Sequence, residues 1–371
     1  MRRFEKYLCR IGQEVTVRDA DRQIYTSAFD IIRDTLFHYM RDNNSVFRKL
    51  YKGPSLFGSY SNNVRINCPN EFDVHITLSP PYSRDIIVEE DKLRPGFVQL
   101  DFSDVLVSLS WDDNNNDIYD FLDNATDRYY YLIRGRVQNW LENLFEDAVD
   151  YYQNRINGYY LQYSKRGLAH TIFASNNSFN PAREISIDFV PAFIFGEKDW
   201  MSLPTSPVFQ HKCDRWYAIP KPTHGIKRNR RISFMICNPK AEHYLLLNKQ
   251  NLKTVFRLLK SLRKAYGLHR LKSYFITTAF LFEIEEQKEN FWFNSVDYIF
   301  LHMLDVLTEY FIDGYLPFFW NNDLNLLDIL HNDELSEYKT ALISAWNKLQ
   351  SYRYQPNIRF STVDNHFSRL K

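Results

Sequence analysis

Residues 58–78 read GSYSNNVRINCPNEFDVHITL, and this stretch decides the fold. A Gly-Ser pair at a tight bend is followed by a run typical of a β-strand, in which Glu71 and Asp73 stand two residues apart. Side chains at positions i and i+2 of a strand point to the same face, so we expect the two carboxylates side by side. Because like charges at that spacing repel unless a cation lies between them, the strand predicts a divalent-metal site.

A third carboxylate stands in a second strand pattern. Asp188 lies in EISIDFVPAF, residues 184–193, which is largely apolar. On a neighbouring strand it would complete a site for two Mg²⁺ or Mn²⁺ ions. Glu71 and Asp73 would bind metal there, and Asp188 would bind metal and help to deprotonate an attacking hydroxyl. The three acids therefore predict nucleotidyl transfer.

The Gly-Ser pair fits the same chemistry. Gly58 lets the backbone approach phosphates closely, and the Ser59 hydroxyl and nearby N–H groups can bind the β- and γ-phosphate oxygens. A Gly-Ser pair alone is weak evidence for a phosphate site. The alternative is that Gly58 is an ordinary β-turn glycine and that the carboxylates lie in water at the edge of a strand.

Length and composition set the class of protein. The chain has 371 residues, of which 44% are hydrophobic, and this favours two lobes. Its 46 Lys and Arg against 45 Asp and Glu give a net charge of +1, so attraction to nucleic acid must come from a local patch. No secretory signal and no run of about 18 apolar residues is seen, so we expect a soluble, cytoplasmic protein with no membrane partner.

The cysteines give no metal signature. Cys9, Cys68, Cys213 and Cys237 are scattered without a C-x-x-C pair. This fits a reducing compartment and predicts no four-ligand zinc cluster. His211 and Cys213 make a lone pair of ligand types, which is more often chance than a metal site.

A long amphipathic helix is predicted at residues 20–40, where apolar residues recur at helical spacing without Pro or Gly. Arg18, Arg22 and Arg33 fall in one arc that faces away from the apolar stripe. The arc is either a solvated face or a ridge that contacts nucleic acid.

After this helix the pattern changes to short strands and later to helices. Strands are predicted at residues 64–68, 71–78, 97–102, 105–111, 184–193 and 215–221, and helices at residues 129–152, 251–266, 291–310 and 334–352. We predict an α+β fold with two lobes: a mixed-sheet catalytic lobe with the long N-terminal helix at residues 1–222, and a helical lobe at residues 223–371.

The stretch GSYSNNVRINCPNEFDVHI resembles the corresponding part of animal cyclic GMP–AMP synthase and its relatives, the cGAS-like receptors. The resemblance continues through ISIDFVPAF, RWYAIPK, RRISF and LKSYFITTAF. It implies a bilobed nucleotidyltransferase that joins ATP and GTP into a cyclic dinucleotide when a nucleic acid binds, in innate immune and antiviral signalling. Dimerisation on that ligand is compatible with it.

The resemblance also implies nucleotide-binding residues. Arg231 matches an arginine that packs on a bound base, with Ser233 two residues on in the same strand pattern. Tyr274, preceded by Ser273, matches a tyrosine on which a base stacks, a role that suits an aromatic face. For Tyr274 alone, a core aromatic is the alternative.

A lysine of the later helical region completes this set. Lys260 matches a phosphate-binding lysine, although Arg257 one turn earlier could take that role. A solvated helix face is the alternative for Lys260.

One departure from the vertebrate enzyme bears on the activator. That enzyme carries a His-Cys-Cys-Cys zinc insertion where this sequence has ICNPKAEHYLLLNKQ, with a single cysteine. The difference argues against double-stranded DNA as activator and favours double-stranded RNA, to which several invertebrate receptors respond, and no zinc is expected.

A ligand surface for RNA can be assembled from basic residues, because duplex RNA is bound through its shape and phosphates. The candidates are Arg18, Arg22, Arg33, Lys227, Arg228, Arg230, Lys253, Arg263 and Lys264.

The sequence thus favours an RNA-activated synthase of cyclic GMP–AMP that uses ATP, GTP and Mg²⁺ or Mn²⁺. Two alternatives stay open: a catalytically silent scaffold with a developmental role, and a DNA-activated or linear-product nucleotidyltransferase. The intact acids argue against the silent scaffold. Product analysis distinguishes the cyclic GMP–AMP synthase from the other nucleotidyltransferases, and it also decides between 2′3′ and 3′2′ linkage.

Overall fold

The computed structural model describes residues 2–196, 215–222 and 231–368. The chain forms two compact units, each made of separate segments. The unit named here the helical unit contains Met1–Asp21, Gly58–Pro69 and Pro239–Lys371, and the sheet unit contains Arg22–Phe57 and Asn70–Asn238. The sequence predicted two lobes, each made of one continuous segment. The boundary between them after Pro222 stays a prediction, since residues 223–230 lie outside the described ranges.

Helices of the described residues are numbered in chain order. They are α1 Arg3–Glu14, α2 Asp19–Asn43, α3 Ser45–Leu50, α4 Gly58–Ser61, α5 Ser103–Leu109, α6 Asn116–Ala125, α7 Arg134–Tyr151, α8 Pro239–Leu246, α9 Leu252–Ala265, α10 Ser273–Glu286, α11 Val296–Asp313, α12 Asn332–Tyr352 and α13 Phe360–Asp364. Short 3-10 turns occur at Ser83–Asp85, Asp113–Asn115, Glu289–Phe293 and Leu326–Ile329.

Strands of the described residues are numbered in the same way. They are β1 Tyr51–Phe57, β2 Glu71–Leu78, β3 Ile87–Glu90, β4 Phe97–Asp101, β5 Arg155–Ile156, β6 Tyr159–Arg166, β7 Ala169–Asn176, β8 Arg183–Gly196, β9 Arg215–Ile219, β10 Ser233–Cys237, β11 Pro317–Phe318 and β12 Asn321–Asn325.

The sheet unit is built on one large mixed sheet. Its strand order is β3-β4-β10-β9-β8-β7-β6-β5, and β2 pairs with β8 and with β1 beside this path. The β2–β8 pair is parallel, whereas the other strand pairs of this sheet are antiparallel. Strand β8 pairs with β7 over its first half, with β2 from Ser186 to Phe193, and with β9 from Phe193 to its end.

Helices α2 and α7 cover one face of this sheet. Phe29 of α2 stacks on Phe72 of β2 with ring centroids 4.3 Å apart, and Phe37 of α2 and Phe145 of α7 both contact Phe189 of β8. These aromatic residues are at most 3% exposed. Their burial fixes which face of β2 and β8 turns to the core, because alternate residues of a strand point to opposite faces.

The helical unit is an assembly of packed helices. Helix α1 packs against α9, α11 and α13. A Cβ added at Gly12 of α1 would lie 2.8 Å from Thr254 Cγ2 of α9, so this close approach requires glycine. Tyr7 of α1 meets Phe360 of α13 edge to face at 5.4 Å, which ties the C-terminal helix to the first one.

Several predicted elements are confirmed. The predicted helices at residues 20–40, 251–266 and 334–352 correspond to α2, α9 and α12, and the predicted α+β class with a helical C-terminal region is correct. The helix predicted at residues 291–310 is divided between the 3-10 turn Glu289–Phe293 and α11, with the extended residues Asn294 and Ser295 between them. The predicted strands at residues 71–78, 97–102, 184–193 and 215–221 correspond to β2, β4, β8 and β9.

Other predictions about local structure are wrong. Residues 105–111, predicted as a strand, belong largely to α5, because Asp101 Oδ1 accepts the Ser103 N–H and the buried Val105, Leu106 and Leu109 follow helical spacing. Residues 64–68 form no strand, and Ile66 makes one isolated bridge to Thr16.

The apolar stripe of α2 is found only in part. It was predicted through Ala20, Ile24, Ala28, Ile31, Ile32 and Tyr39, of which Ala28 and Ile32 are buried. Ile24 and Ile31 are 41% and 43% exposed, whereas Phe29 and Leu36 are fully buried. In the described ranges, none of the helices combines the length and the apolar character needed to span a bilayer.

The Phe29–Phe72 stack predicts a large loss of stability on truncation. We expect Phe29→Ala to lower the free energy of unfolding by about 3–5 kcal/mol, because it removes a buried ring and leaves a cavity. Urea denaturation followed by circular dichroism measures this. Ile24→Ala on the same helix is the control and should change stability by less than about 1 kcal/mol, since Ile24 is 41% exposed. Equal effects of the two substitutions would contradict this packing.

Candidate nucleotidyl-transfer site

Three carboxylates share one face of the β2–β8 pair. Asp73 of β2 and Asp188 of β8 are direct register partners in the parallel ladder, and Glu71 is paired with Ser186. The alternate residue Phe72 points into the core, so the acids point away from it. Glu71 is exposed, and Asp73 and Asp188 are half-buried. The predicted juxtaposition of the acids on neighbouring strands is therefore found.

Asp188 is held in place from its other side. Thr171 of β7 is its register partner in the antiparallel β7–β8 pair, and the Thr171 hydroxyl donates to Asp188 Oδ1 at 2.6 Å. Thr171 is 1% exposed, so the donor side of this hydrogen bond is shielded from water. It fixes the rotation of the carboxyl group through Oδ1. The second carboxylate oxygen, Oδ2, takes no part in this hydrogen bond.

The donor set suits a hard divalent cation. Carboxylate oxygens are the ligands that Mg²⁺ and Mn²⁺ prefer, so Glu71, Asp73 and Asp188 are the residues that would hold such ions. Within the described ranges, however, no three His, Cys, Asp or Glu side chains are arranged tightly enough to hold a metal ion. Three carboxylates on one face repel one another, and only a cation among them favours convergence.

The Gly58-Ser59 pair lies in the helical unit. Gly58 has φ +73°, a left-handed conformation that favours glycine, and it opens the one-turn helix α4. The turn is closed by Asn62 N–H donating to Gly58 O and Val64 N–H donating to Ser59 O. The predicted tight bend is confirmed, and the phosphate-binding role of Ser59 stays a prediction.

Contacts within the helical unit hold the loop at residues 58–69. Asn62 is 8% exposed, and its Oδ1 lies 2.8 Å from His243 Nδ1 of α8. Arg257 of α9 donates from Nη1 to Asn63 O at 3.0 Å. Burial lowers the pKa of Arg257. Arg257, the alternative phosphate ligand, is thus bonded to the backbone of this loop.

Lys260 lies in an environment that its sequence did not indicate. Its side chain lies on the inner face of α9 and is 3% exposed, so the alternative of a solvated helix face is wrong. A phosphate contact by Lys260 stays a prediction, and it would require a ligand that reaches this buried position.

Tyr274 is oriented by a buried carboxyl group. It is half-buried near the start of α10, and its hydroxyl donates to Glu242 Oε1 of α8 at 2.8 Å. The Trp320 indole N–H donates to the same oxygen at 2.8 Å, and the Tyr274 ring lies 6.2 Å from that of Phe318. Burial raises the pKa of Glu242 to about 7. The ring predicted to stack on a base is therefore held at its hydroxyl end.

Neighbouring Ser273 begins α10. Its hydroxyl accepts a hydrogen bond from Arg263 Nη1 at 3.3 Å, and Arg263 also donates to Leu271 O at 2.9 Å. Arg263 therefore braces the connection between α9 and α10, a role that its prediction as an RNA ligand did not include.

Arg231 and Ser233 do not share a strand, contrary to the sequence pattern. Strand β10 begins at Ser233, and Arg231 is exposed in the preceding turn. Ser233 is fully buried and donates to Asp91 Oδ2 at 2.5 Å, beside the buried Asp91–Arg94 ion pair at 2.6 Å. The Ser233 hydroxyl is committed to this internal network, so its predicted contact with nucleotide has no support from its position.

The predicted RNA-binding residues also differ in environment. Arg33 is 15% exposed and forms ion pairs with Asp30 and Asp34, so it is neither a solvated nor an available cation. Arg18 is 88% exposed with a long ion pair to Asp21 at 3.8 Å.

Arg22 lies on α2, and the remaining basic candidates lie either on α9 or outside the described residues. Lys253 and Lys264 lie on the same side of α9, since eleven residues make about three turns. Lys264 is exposed and Lys253 is half-buried. Lys227, Arg228 and Arg230 lie outside the described residues, as do His211 and Cys213.

Sequence reasoning missed two partners of the predicted residues. Thr171 belongs to the β6–β7 hairpin, which was not predicted, although Gly167-Leu168 between two alternating runs is a hairpin signal. Glu242 looks like a surface acid in an amphipathic helix, and no spacing marks its partner Tyr274, which lies 32 residues later.

Comparison with known proteins defines the class. Residues 60–248 match the Mab-21 protein nucleotidyltransferase domain, a range that includes Glu71, Asp73 and Asp188, and residues 251–343 match the Mab-21 protein HhH/H2TH-like domain. The fold is thus that of a Mab-21-type nucleotidyltransferase.

Individual relatives narrow the family. Cyclic GMP-AMP synthase-like receptor 1 of Drosophila melanogaster is 31% identical over 334 residues, which cover 88% of this chain and 86% of the relative. The cyclic GMP-AMP synthase-like receptor of Lucilia cuprina is 31% identical over 357 residues, covering 94% and 92%. That of Aethina tumida is 28% identical, covering 92% and 87%. The chain belongs to the cyclic GMP-AMP synthase-like receptor family and is a nucleotidyltransferase.

The buried Glu242 predicts a pH-dependent stability. Its pKa is about 7 in the folded state against an ordinary value of 4.5, so the folded state binds the proton more tightly. Protonated Glu242 therefore adds to the free energy of unfolding. This stabilisation is full below about pH 4.5 and is lost as the pH rises through 7. Glu242→Gln keeps an oxygen for Tyr274 and Trp320 and never ionises. Relative to the wild type, it should gain on the order of 3 kcal/mol between pH 5 and pH 8.

Urea denaturation at several pH values measures this gain. Glu289→Gln, at an exposed position of the same unit, is the matched control and should follow the wild-type profile. A Glu242→Gln profile parallel to that of the wild type would show that Glu242 does not titrate in this window.

Proposed function

We propose that this protein makes cyclic GMP–AMP from ATP and GTP, with two Mg²⁺ or Mn²⁺ ions, when double-stranded RNA binds. The observation that carries the catalytic part is the pairing of Asp73 with Asp188 on one face of the sheet, with Glu71 on the same face. Membership of the receptor family supports the product, since the relatives are named for cyclic GMP-AMP synthase.

All three acids would bind metal in the proposed transfer, and Asp188 has a second role as the base. Bound metal would activate the attacking hydroxyl and neutralise the charge on the pyrophosphate. Asp188, held through Oδ1 by Thr171, accepts the proton of the ribose hydroxyl. The hydroxyl oxygen then bonds to the α-phosphorus as the bond to pyrophosphate breaks. Glu71 and Asp73 supply oxygen ligands beside it.

Two such transfers produce a cyclic product. The first joins one nucleotide to the other, and rebinding of the linear intermediate allows the second. Gly58 and Ser59 would bind the phosphates, and the Tyr274 ring would stack on a base while Glu242 holds its hydroxyl. Arg231, which is exposed, remains the proposed second base contact. Ser233 is left out of this set because it is buried.

The RNA activator rests on fewer residues than the sequence predicts. Arg18, Arg22, Lys253 and Lys264 are the proposed phosphate contacts among the described residues, with Lys227, Arg228 and Arg230 outside them. Arg263 is left out because it donates to Leu271 O and to the Ser273 hydroxyl. Arg33 is left out because two aspartates neutralise it. The interval at residues 236–250 supports RNA, because it has no zinc insertion and contains one cysteine, and its His243 is hydrogen-bonded to Asn62.

A single assay tests product and activator together. Purified protein is incubated with ATP, GTP and Mn²⁺, with long duplex RNA, with duplex DNA or with neither, and the products are resolved by mass spectrometry. We expect a cyclic dinucleotide with RNA only. Asp73→Asn should lower the rate by on the order of 100-fold or more, since it removes charge from the metal-binding face.

The matched control is Glu89→Gln on edge strand β3, which is separated from β8 by β4, β10 and β9. It should keep the wild-type rate. Full activity of Asp73→Asn would contradict the catalytic assignment. A linear product would contradict the proposed cyclisation, and a response to DNA would contradict RNA as the activator. The absence of any product would favour the silent scaffold.

A further inference from the structure

An unusually exposed tryptophan lies at the end of α5. Trp111 is 86% exposed, and Val107, four residues earlier, is 61% exposed. The chain continues in helical turns beyond α5, with Ser110 N–H donating to Leu106 O and Trp111 N–H to Ser108 O. Residues four apart on a helical turn lie on one face, so the two side chains form one apolar patch.

The base of the patch is rigid. Val105 and Leu109 of α5 are fully buried and anchor the helix in the sheet unit. Ser108 Oγ donates to Asp85 Oδ2 at 3.2 Å, which ties α5 to the 3-10 turn Ser83–Asp85. Trp111 is therefore presented by ordered backbone.

Carboxylates lie on the residues that flank the patch. Asp104 precedes Val107 by one turn, Asp112 and Asp113 follow Trp111, and Asp85 is bonded to Ser108 between them. Hydrogen bonds from Asn115 and Tyr82 help to lower the pKa of Asp112, so it stays charged at neutral pH.

Two cations near the patch have other roles. Lys49 is paired with Asp117 at 2.5 Å, and Arg84 lines the cavity of about 1010 Å³ that also contains Arg215. The charge of Lys49 also helps to lower the pKa of Asp112. The rim nevertheless holds four carboxylates against these two cations, so its net charge is negative.

We infer that this acidic-rimmed patch, defined by Val107 and Trp111 with Asp85, Asp104, Asp112 and Asp113, docks a partner protein through a basic amphipathic segment. An exposed tryptophan is the side chain most suited to anchor such a contact, and a charged rim selects the partner. A segment that carries Lys and Arg beside an apolar residue matches both the apolar patch and its acidic rim. Nucleic acid and anionic lipid are disfavoured, because the rim would repel their phosphates.

A designed peptide tests the surface directly. The probe is a fluorescein-labelled amphipathic helix of Leu and Lys, and its matched control carries Glu in place of every Lys. Fluorescence anisotropy with the full chain should show binding of the Lys probe only. Trp111→Ala and the double variant Asp104→Lys/Asp113→Lys should each weaken binding more than about tenfold. The control variant Tyr244→Ala, at a position 75% exposed on α8, should bind as the wild type does.

Further measurements distinguish loss of the patch from loss of structure. Trp111→Ala should keep the wild-type melting temperature and nucleotidyl-transfer rate, since it replaces an exposed side chain outside the proposed site. Hydrogen exchange should slow at residues 103–113 when the Lys probe binds. Equal binding by Trp111→Ala and the wild type, or no binding by either, would overturn the inference. So would self-association that Trp111→Ala abolishes, or binding of vesicles rich in anionic lipid.

Discussion

The parallel pairing of β2 with β8 is the contact on which the candidate site depends, since it alone sets Asp73 opposite Asp188. A one-residue shift of this register would turn one of the acids toward the core. The shift is opposed by aromatic packing on the other face, where Phe72 stacks on Phe29 and Phe189 meets Phe37 and Phe145. Burial of those rings therefore fixes the position of the charges.

The helical unit supports its predicted nucleotide-binding residues in another way. Its polar side chains are held by hydrogen bonds rather than by strand register: Asn62 by His243, the loop backbone by Arg257, and Tyr274 by Glu242. A buried carboxyl group is costly unless donors reach it, and Tyr274 and Trp320 supply two. Such an arrangement holds the Tyr274 ring in one orientation.

Local sequence patterns predicted the elements that depend on local periodicity. The helices α2, α9 and α12 and the strand with Glu71 and Asp73 were found because their hydrophobic spacing is regular. The strand pattern at residues 105–111 was misleading, since alternating Val, Leu and Ser fit either period, and the turn in which Asp101 Oδ1 accepts the Ser103 N–H leads into a helix. The face shared by the acids followed from strand geometry, but their register needed the tertiary pairing. Environment could not be predicted from spacing at all: the burial of Lys260 and Ser233 and the ion pairs of Arg33 depend on how the elements pack.

The central claim is that the acids of the β2–β8 pair bind the catalytic metal ions. Electron paramagnetic resonance of bound Mn²⁺, measured with a non-hydrolysable ATP analogue, tests this without relying on product formation. We predict two bound ions per chain, with at least one lost in Asp188→Asn. Mn²⁺ binding by Asp188→Asn equal to that of the wild type would contradict the claim.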